Sequence, residues 1–309
     1  MRLLITGGTG FIGKALVKHL ASKGHSLILL TRNKSRHQST VQTNYVADLN
    51  EVPSPSSLDG VINLAGEPLN AKRWNAKFKT QLLESRPQIT KTLVDWVKQH
   101  DLHLKVWING SAIGWYGPQD ADISLTESAN TIDCFSHDLC ARWEAEARKA
   151  KNHCSRLAIL RIGIVLEEDG GPLASMLPAF KLGMGGRLGS GEQVWSWIHR
   201  HDLVRLIEAC LENPQLTGAI NACAPEALSQ AEFAKQLAEA LNRPCIAPMP
   251  AWMAKLMLGE FAEEVLLQGQ RVFPKAAIDA GFDFDSPCLD QALAACFNHK
   301  LQKPQESAI

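Results

Sequence analysis

The 309-residue chain has no excess of either charge: 32 Lys and Arg residues balance 32 Asp and Glu, for a formal net charge of zero. A nucleic-acid clamp needs a clustered cationic surplus to displace phosphate counterions, so no nucleic-acid partner is expected. No uninterrupted apolar run approaches the roughly 18 residues of a bilayer span, and no membrane partner is expected either. The eight cysteines (Cys134, Cys140, Cys154, Cys210, Cys223, Cys245, Cys288 and Cys296) include no C-x-x-C pair. Scattered in this way they read as small buried hydrophobes, not as a disulfide framework or a zinc site. Met1–Thr6 runs directly into glycines and is too short for a secretory leader, so the expected compartment is the reducing cytoplasm. Tyrosine is scarce, Tyr45 and Tyr116 being the only two. Chemistry that needs a phenol proton therefore has few places to find one.

What is present is an alternation of short apolar runs with longer segments of helical period, the pattern of βα units on a parallel sheet. Leu3–Thr6, Leu27–Leu30, Tyr45–Ala47, Val61–Ala65, Val106–Ile108 and Leu157–Leu160 are the strand candidates. Ile12, Leu16, Val17 and Leu20 fall at helical spacing after Phe11, and a long helical stretch passes through Leu93, Val94 and Val97. The second half is less regular. Five glycines lie between Gly183 and Gly191, and Asp202 is expected to cap an apolar helix over Leu203–Leu211. Three prolines between Pro244 and Pro250 read as a linker. A mainly helical region follows from Trp252 to about Phe297, and then a frayed polar end.

The strongest local signal is Thr6-Gly7-Gly8-Thr9-Gly10-Phe11-Ile12-Gly13, placed between the first strand and the first helix. Gly7, Gly10 and Gly13 have the G-x-x-G-x-x-G spacing of a dinucleotide fingerprint. Gly7 permits the tight turn, Gly10 lets backbone approach a pyrophosphate, and Gly13 lets the helix pack closely on the sheet. Glycines serving a turn alone are the plainer alternative. About 20 residues later, a carboxylate would select NAD and a cation NADP. The chain has Leu30-Thr31-Arg32-Asn33-Lys34 there, with no carboxylate. Arg32 can fork onto a 2′-phosphate and Thr31 can donate a hydroxyl, which favours NADP(H) over a merely solvated cationic loop. The fold class that follows is α/β: a Rossmann-type doubly wound parallel sheet over residues 1–225, with a substrate-region insertion at about 170–197. A small C-terminal substrate or lid domain spans 245–297, and a tail 298–309.

Gly7–Gly13, Asp48-Leu49, Asn63-Leu64-Ala65-Gly66 and Gly110-Ser111-Ala112 resemble, in order, the strand ends of extended short-chain dehydrogenase/reductases. Asn63–Pro68, Arg73-Trp74, Ser85-Arg86, Leu139–Glu144, Trp197–His199 and Gly269–Val272 are similar to its atypical branch of epimerase family proteins, which ends in a short domain of unknown function. The resemblance covers residues 1 to 297. It implies that Gly7, Thr9, Gly10, Phe11 and Ile12 meet the pyrophosphate, with Gly13 behind them, and that Thr31 and Arg32 meet the adenosine phosphate. It also implies Asp48 and Leu49 at the adenine, Leu64, Ala65 and Gly66 at the ribose, Gln81 and Arg86 on the following helix, and Val165 beside the nicotinamide. Arg86 as a solvated surface cation is the alternative.

Short-chain dehydrogenases of this type use a Ser or Thr and a Tyr-x-x-x-Lys helix, in which the cation lowers the tyrosine pKa. Ser111 matches the hydroxyl, but Ser136 and Cys140 stand at the Tyr and Lys positions. Tyr116 is the substitute proton donor, or else a residue lining a pocket. His199-Arg200-His201-Asp202 carries a His-x-His spacing, yet nothing in the sequence completes a metal shell, so no metal is expected. The resemblance implies His199 facing the substrate cleft. Arg187, in the glycine-rich segment, belongs either to a lid over an anionic substrate or to an irregular loop. The expected function is an NADP(H)-dependent oxidoreductase or epimerase-like protein acting on a small carbonyl, alcohol or sugar-like substrate. The alternative is a catalytically weak or silent NADPH-binding regulatory protein, some relatives having a link to cell or plastid division. Substrate identity and oligomeric state are open.

Overall fold

The computed structural model describes residues 1–298. Its first half supplies β1 (Arg2–Thr6), α1 (Phe11–Ser22), β2 (Ser26–Leu30), β3 (Thr43–Val46), β4 (Gly60–Asn63), α2 (Ala76–Gln99), β5 (Leu104–Ala112), β6 (Ser124–Leu125) and α3 (Phe135–Arg148). The second half supplies β7 (Cys154–Ile162), β8 (Ile164–Leu166), α4 (Gly171–Lys181), β9 (Val194–His199), α5 (Arg200–Glu212), β10 (Gly218–Ala222), β11 (Ala227–Ser229) and α6 (Gln230–Ala240). Then come α7 (Ala251–Leu258), β12 (Arg271–Val272), α8 (Lys275–Asp279) and α9 (Leu289–Asn298). Among the described residues, no helix is long and apolar enough to cross a membrane.

Seven strands pair in the order β3-β2-β1-β4-β5-β7-β10, every pair parallel. Strand alternation decides which helices cover which face. Leu3 and Ile5 point into the layer of α1 and α5 with Leu16, Leu20, Leu203 and Ile207. Leu4, one residue between them, points into the opposite layer with Leu93 and Val97 of α2. A sheet buried on both faces needs near-continuous apolar strands, which is why these runs are short and unbroken. The strand order reverses between β1 and β4. In open α/β sheets that reversal opens a crevice at the carboxyl ends of the strands.

Register places Thr6 beside Asn63 and Asn63 beside Asn109 along that carboxyl edge. Thr6 Oγ1 donates to Asn63 Oδ1 at 2.6 Å, and Asn63 Nδ2 donates to Asn109 Oδ1 and to Thr90 Oγ1, each at 2.8 Å. These buried partners hold the three strand ends flush beneath the crevice.

A second sheet, β11-β9-β8, packs with α4, α6 and α9, and β12 pairs in parallel with β6. The C-terminal region is thus mainly helical but lends one short strand to the first half of the chain. Residues 244–250 are more than a linker. Ala247 N–H donates to the Gly185 carbonyl, and Gly189 N–H to the Met249 carbonyl, so the glycine-rich segment is strapped down there. The polar end beyond residue 298 lies outside the described residues.

Asp202 does not cap α5. β9 runs straight into the helix at Arg200, which leaves no intervening loop, and Asp202 becomes the third helical residue. Its fully buried carboxylate instead accepts the backbone N–H groups of Asp285 and Ser286, both at 2.9 Å, and Arg205 Nη1 at 3.1 Å. Asp202→Ala strands two buried donors and is expected to cost about 3 kcal/mol of unfolding free energy in urea. Asp202→Asn keeps one acceptor oxygen and should lose clearly less; equal losses would show that the carboxylate does not hold residues 285 and 286.

Candidate nucleotide site

β1 ends at Thr6 and the backbone turns at Gly7 with φ +71°. A Cβ on Gly7 would sit 2.7 Å from both carbonyl atoms of Leu64, and one on Gly13 would overlap the Gly7 carbonyl. The turn is therefore closed by backbone meeting backbone, which only glycine allows. Gly10 N–H returns to the Gly7 carbonyl at 3.0 Å, and exposed Gly10 caps α1 with no side-chain partner and no acid in the first turn. The leading N–H groups and the positive end of the helix dipole are left for an anion. Thr9, Phe11 and Ile12 are half-buried around them. The Phe11 ring packs against Gly170 and Gly171 beneath the Arg200 guanidinium, 4.9 Å from the ring centre.

Arg32 is exposed just past β2 and makes no hydrogen bond or ion pair among the described residues, while Thr31 Oγ1 accepts from Asn33 N–H at 3.4 Å. Asp48 is exposed and accepts Asn50 N–H at 2.8 Å, and Leu49 is buried beside it. Leu64, Ala65 and Gly66 leave β4 along the crevice. Arg86 meets them from α2: a Cβ on Gly66 would lie 2.7 Å from its Nε. Arg86 Nη2 donates to the Glu67 carbonyl at 2.8 Å, its guanidinium lies over Trp143 at 5.3 Å, and its buried Nη1 has no partner. Burial draws its pKa below the ordinary arginine value. An uncompensated guanidinium N–H is costly, so it marks a place for an acceptor. Gln81 is not brought to this point: it is exposed on another face of α2, in a shallow groove with Lys77, Glu84 and Gln88. Val165 is buried in β8, its carbonyl close to Gly171.

Ser111 and Tyr116 belong to a buried polar chain. Ser111 Oγ donates to Glu144 Oε1 at 2.9 Å; Arg161 grips the same carboxylate through Nε at 2.9 Å and Nη2 at 3.2 Å. Arg161 Nη1 donates to the Tyr116 hydroxyl at 3.0 Å, and that hydroxyl donates to Asn221 Oδ1 at 2.7 Å. Tyr116 is 0% exposed, and burial pushes its pKa up to about 12. A phenol so enclosed joins Arg161 to Asn221 within the network.

Residues 3–223 match the NAD dependent epimerase/dehydratase family, and residues 249–296 match a domain of unknown function, DUF1731. The chain belongs to the NAD dependent epimerase/dehydratase family. It is 37% identical over 303 residues to the chloroplastic homolog of epimerase family protein SDR39U1 from Arabidopsis thaliana, covering 96% of this chain and 86% of that protein. The crystal structure of human epimerase family protein SDR39U1 with NADPH superposes with a TM-score of 0.86 at 32% identity, covering 96% of this chain and 99% of that one. The nucleoside-diphosphate sugar epimerase from Corynebacterium glutamicum gives 0.74 at 29% identity, over 95% of this chain and 57% of that one.

Against the family pattern, the Tyr and Lys positions are occupied by groups with other duties. Ser136 N–H donates to Glu264 Oε1 at 2.9 Å, so a carboxylate from the DUF1731 region sits on the start of α3. Glu264 lies in a π-helical turn, Ala262–Leu266, and nothing in the local sequence points to its partner. Cys140 Sγ lies 3.7 Å from the Ala112 carbonyl, and burial pushes its pKa up to about 12, so it is a neutral thiol and neither a nucleophile nor a cation. Arg187 is exposed on the strapped glycine-rich segment. His199 is buried at 5% exposure and turned toward Glu167, while His201 is exposed and paired with Asp285 at 3.3 Å. The two imidazoles do not share a face because the helix begins between them.

Tyr116→Phe should cost about 1–2 kcal/mol, since Arg161 and Asn221 each lose a buried partner, and should leave nucleotide binding unchanged. The tyrosine pKa is higher in the fold than its ordinary value of about 10. Its contribution is thus complete below pH 10 and lost as pH climbs toward about 12. Denaturation from pH 9 to 12 should show that component in the wild type and not in the variant; loss of nucleotide binding in the variant would contradict the structural role.

Proposed function

We propose that the chain binds NADP(H) across the carboxyl ends of β1, β4 and β5. We further propose that it works as an oxidoreductase- or epimerase-like protein on a small carbonyl, alcohol or sugar-like substrate. The observation that carries this is the Gly7–Gly13 turn, where α1 starts with no side-chain cap and no acid in its first turn. Gly7, Thr9, Gly10, Phe11, Ile12 and Gly13 would hold the pyrophosphate, with Asp48 and Leu49 beside the adenine. Thr31 and Arg32 would take the 2′-phosphate. Arg32 is uncommitted, and the absence of a carboxylate at this point removes the repulsion that would exclude the phosphate. The unpartnered Nη1 of Arg86, beside Leu64, Ala65 and Gly66, fits an acceptor on the ribose or phosphate. Support also comes from the human relative solved with NADPH.

When bound, the coenzyme supplies hydride donor or acceptor chemistry at its nicotinamide. This chain's own residues would orient it: Val165 and Phe11 exclude water from one side, and Arg86 brings positive charge to the ribose side. Ser136 stands at the usual tyrosine position, and Tyr116 and Ser111 are hydrogen-bonded to Glu144, Arg161 and Asn221, which speaks against the usual tyrosine route. That commitment favours a second reading, an NADPH-binding regulatory protein with little or no turnover. A screen of carbonyl and nucleotide-sugar compounds for stoichiometric NADPH oxidation separates the two.

Charge-assisted hydrogen bonds contribute about 1.5–3 kcal/mol, so Arg32→Ala should weaken NADPH binding by about 10- to 100-fold and leave NADH binding nearly unchanged. Fluorescence titration with each coenzyme reads this directly. Equal weakening of both would mean that Arg32 does not select the phosphate.

A further inference from the structure

Glu167, His199 and Cys296 come from three separate places: the residue just after β8, the last residue of β9, and α9. One ligand atom from each lies within 4.8 Å of the other two. His199 Nε2 is 3.9 Å from Glu167 Oε2. The cluster is enclosed, with His199 5% and Cys296 2% exposed and the Glu167 side chain 12%. Within it, His199 Nε2 is buried and has no hydrogen-bond partner. An orphaned ring nitrogen in a packed interior costs free energy unless something meets it. Here it points at a carboxylate and a thiol, neither of which reaches it.

We propose that Glu167, His199 and Cys296 form a binding site for Zn2+ or a divalent cation of similar softness. One imidazole nitrogen, one sulfur and one carboxylate oxygen are a donor mix that suits zinc, with ligand bonds of about 2.0–2.3 Å. Burial favours a neutral His199, which leaves a lone pair free to bind. Cys296 is held protonated in the metal-free protein, its pKa raised to about 12 by burial and by neighbouring Glu167. On metal binding its S–H bond breaks, a metal–sulfur bond forms, and the proton leaves to solvent, with no change of oxidation state. Arg200 Nη2 meets Glu167 Oε2 at 3.1 Å and the Glu168 N–H meets Oε1 at 3.1 Å, so each carboxylate oxygen has one protein donor and keeps a lone pair for the ion. With three protein donors, the fourth ligand of a tetrahedral shell would come from solvent.

An ion there would fasten α9, in the DUF1731 region, to the ends of β8 and β9. Arg200, which touches both Glu167 and the Phe11 ring, carries that contact to the start of α1. None of this depends on which nucleotide the crevice holds.

The test is a Co2+ titration of the full chain after treatment with a chelator, read by the thiolate-to-cobalt absorption band. The expected result is a band that saturates at one equivalent, is displaced by Zn2+, and is accompanied by a rise in unfolding temperature. Cys296→Ser should abolish the band and weaken Zn2+ binding by more than about 100-fold, since groups that merely orient ligands are already worth 10–100-fold. Cys288→Ser, outside the cluster, should leave both intact. If Cys296→Ser fails to fold, His199→Gln is read in the same way and should lose the band. A folded wild-type chain without the band, or a band that survives in either cluster variant, overturns the site.

Discussion

The crevice depends on one close approach, that of the Gly7 backbone to the Leu64 backbone across the ends of β1 and β4. Neither residue could carry out this contact alone. Gly7 needs a positive φ and no Cβ, and Leu64 must leave β4 at the point where the register pairs Thr6 with Asn63. The Thr6–Asn63–Asn109 hydrogen bonds fix that register, and Gly13 lets α1 descend onto the same turn. Anything that moved β4 by one residue would turn Asn63 away from Thr6 and fill the crevice with side chains.

How much of this was legible in the sequence depends on the distance between partners. The glycine turn, the strand runs and the cation after β2 are local features; the runs form the sheet, and the turn and the cation lie at its carboxyl edge. The neighbours of Asp202 point to a helix cap, but its partners, Asp285 and Ser286, are more than 80 residues away. Tyr116 and Ser111 carried the residue types of an active site. The structure engages both with Glu144, Arg161 and Asn221, and a buried charge pair leaves no local pattern in sequence. His199 gave a His-x-His spacing that the start of α5 breaks, while Cys296 approaches from the last described helix.

The buried pair of Glu144 and Arg161 also shapes what chemistry is available. Removing one partner of such a pair leaves an uncompensated charge, so the network that engages Ser111 and Tyr116 is held firmly. Around it, the helix that carries Ser136 and Cys140 offers a backbone donor and a neutral thiol in place of a phenol and an ammonium. The chain keeps the fold of its family, while Ser136 and Cys140 of α3 are engaged by Glu264 and the Ala112 carbonyl.

The most direct measurement is calorimetric titration of cofactor-free protein with NADPH and, separately, with NADH. Saturation at one equivalent with clearly tighter binding of NADPH is the predicted result. A folded chain that gives no heat with either nucleotide would contradict the assignment of the β1–α1 turn as a diphosphate cradle.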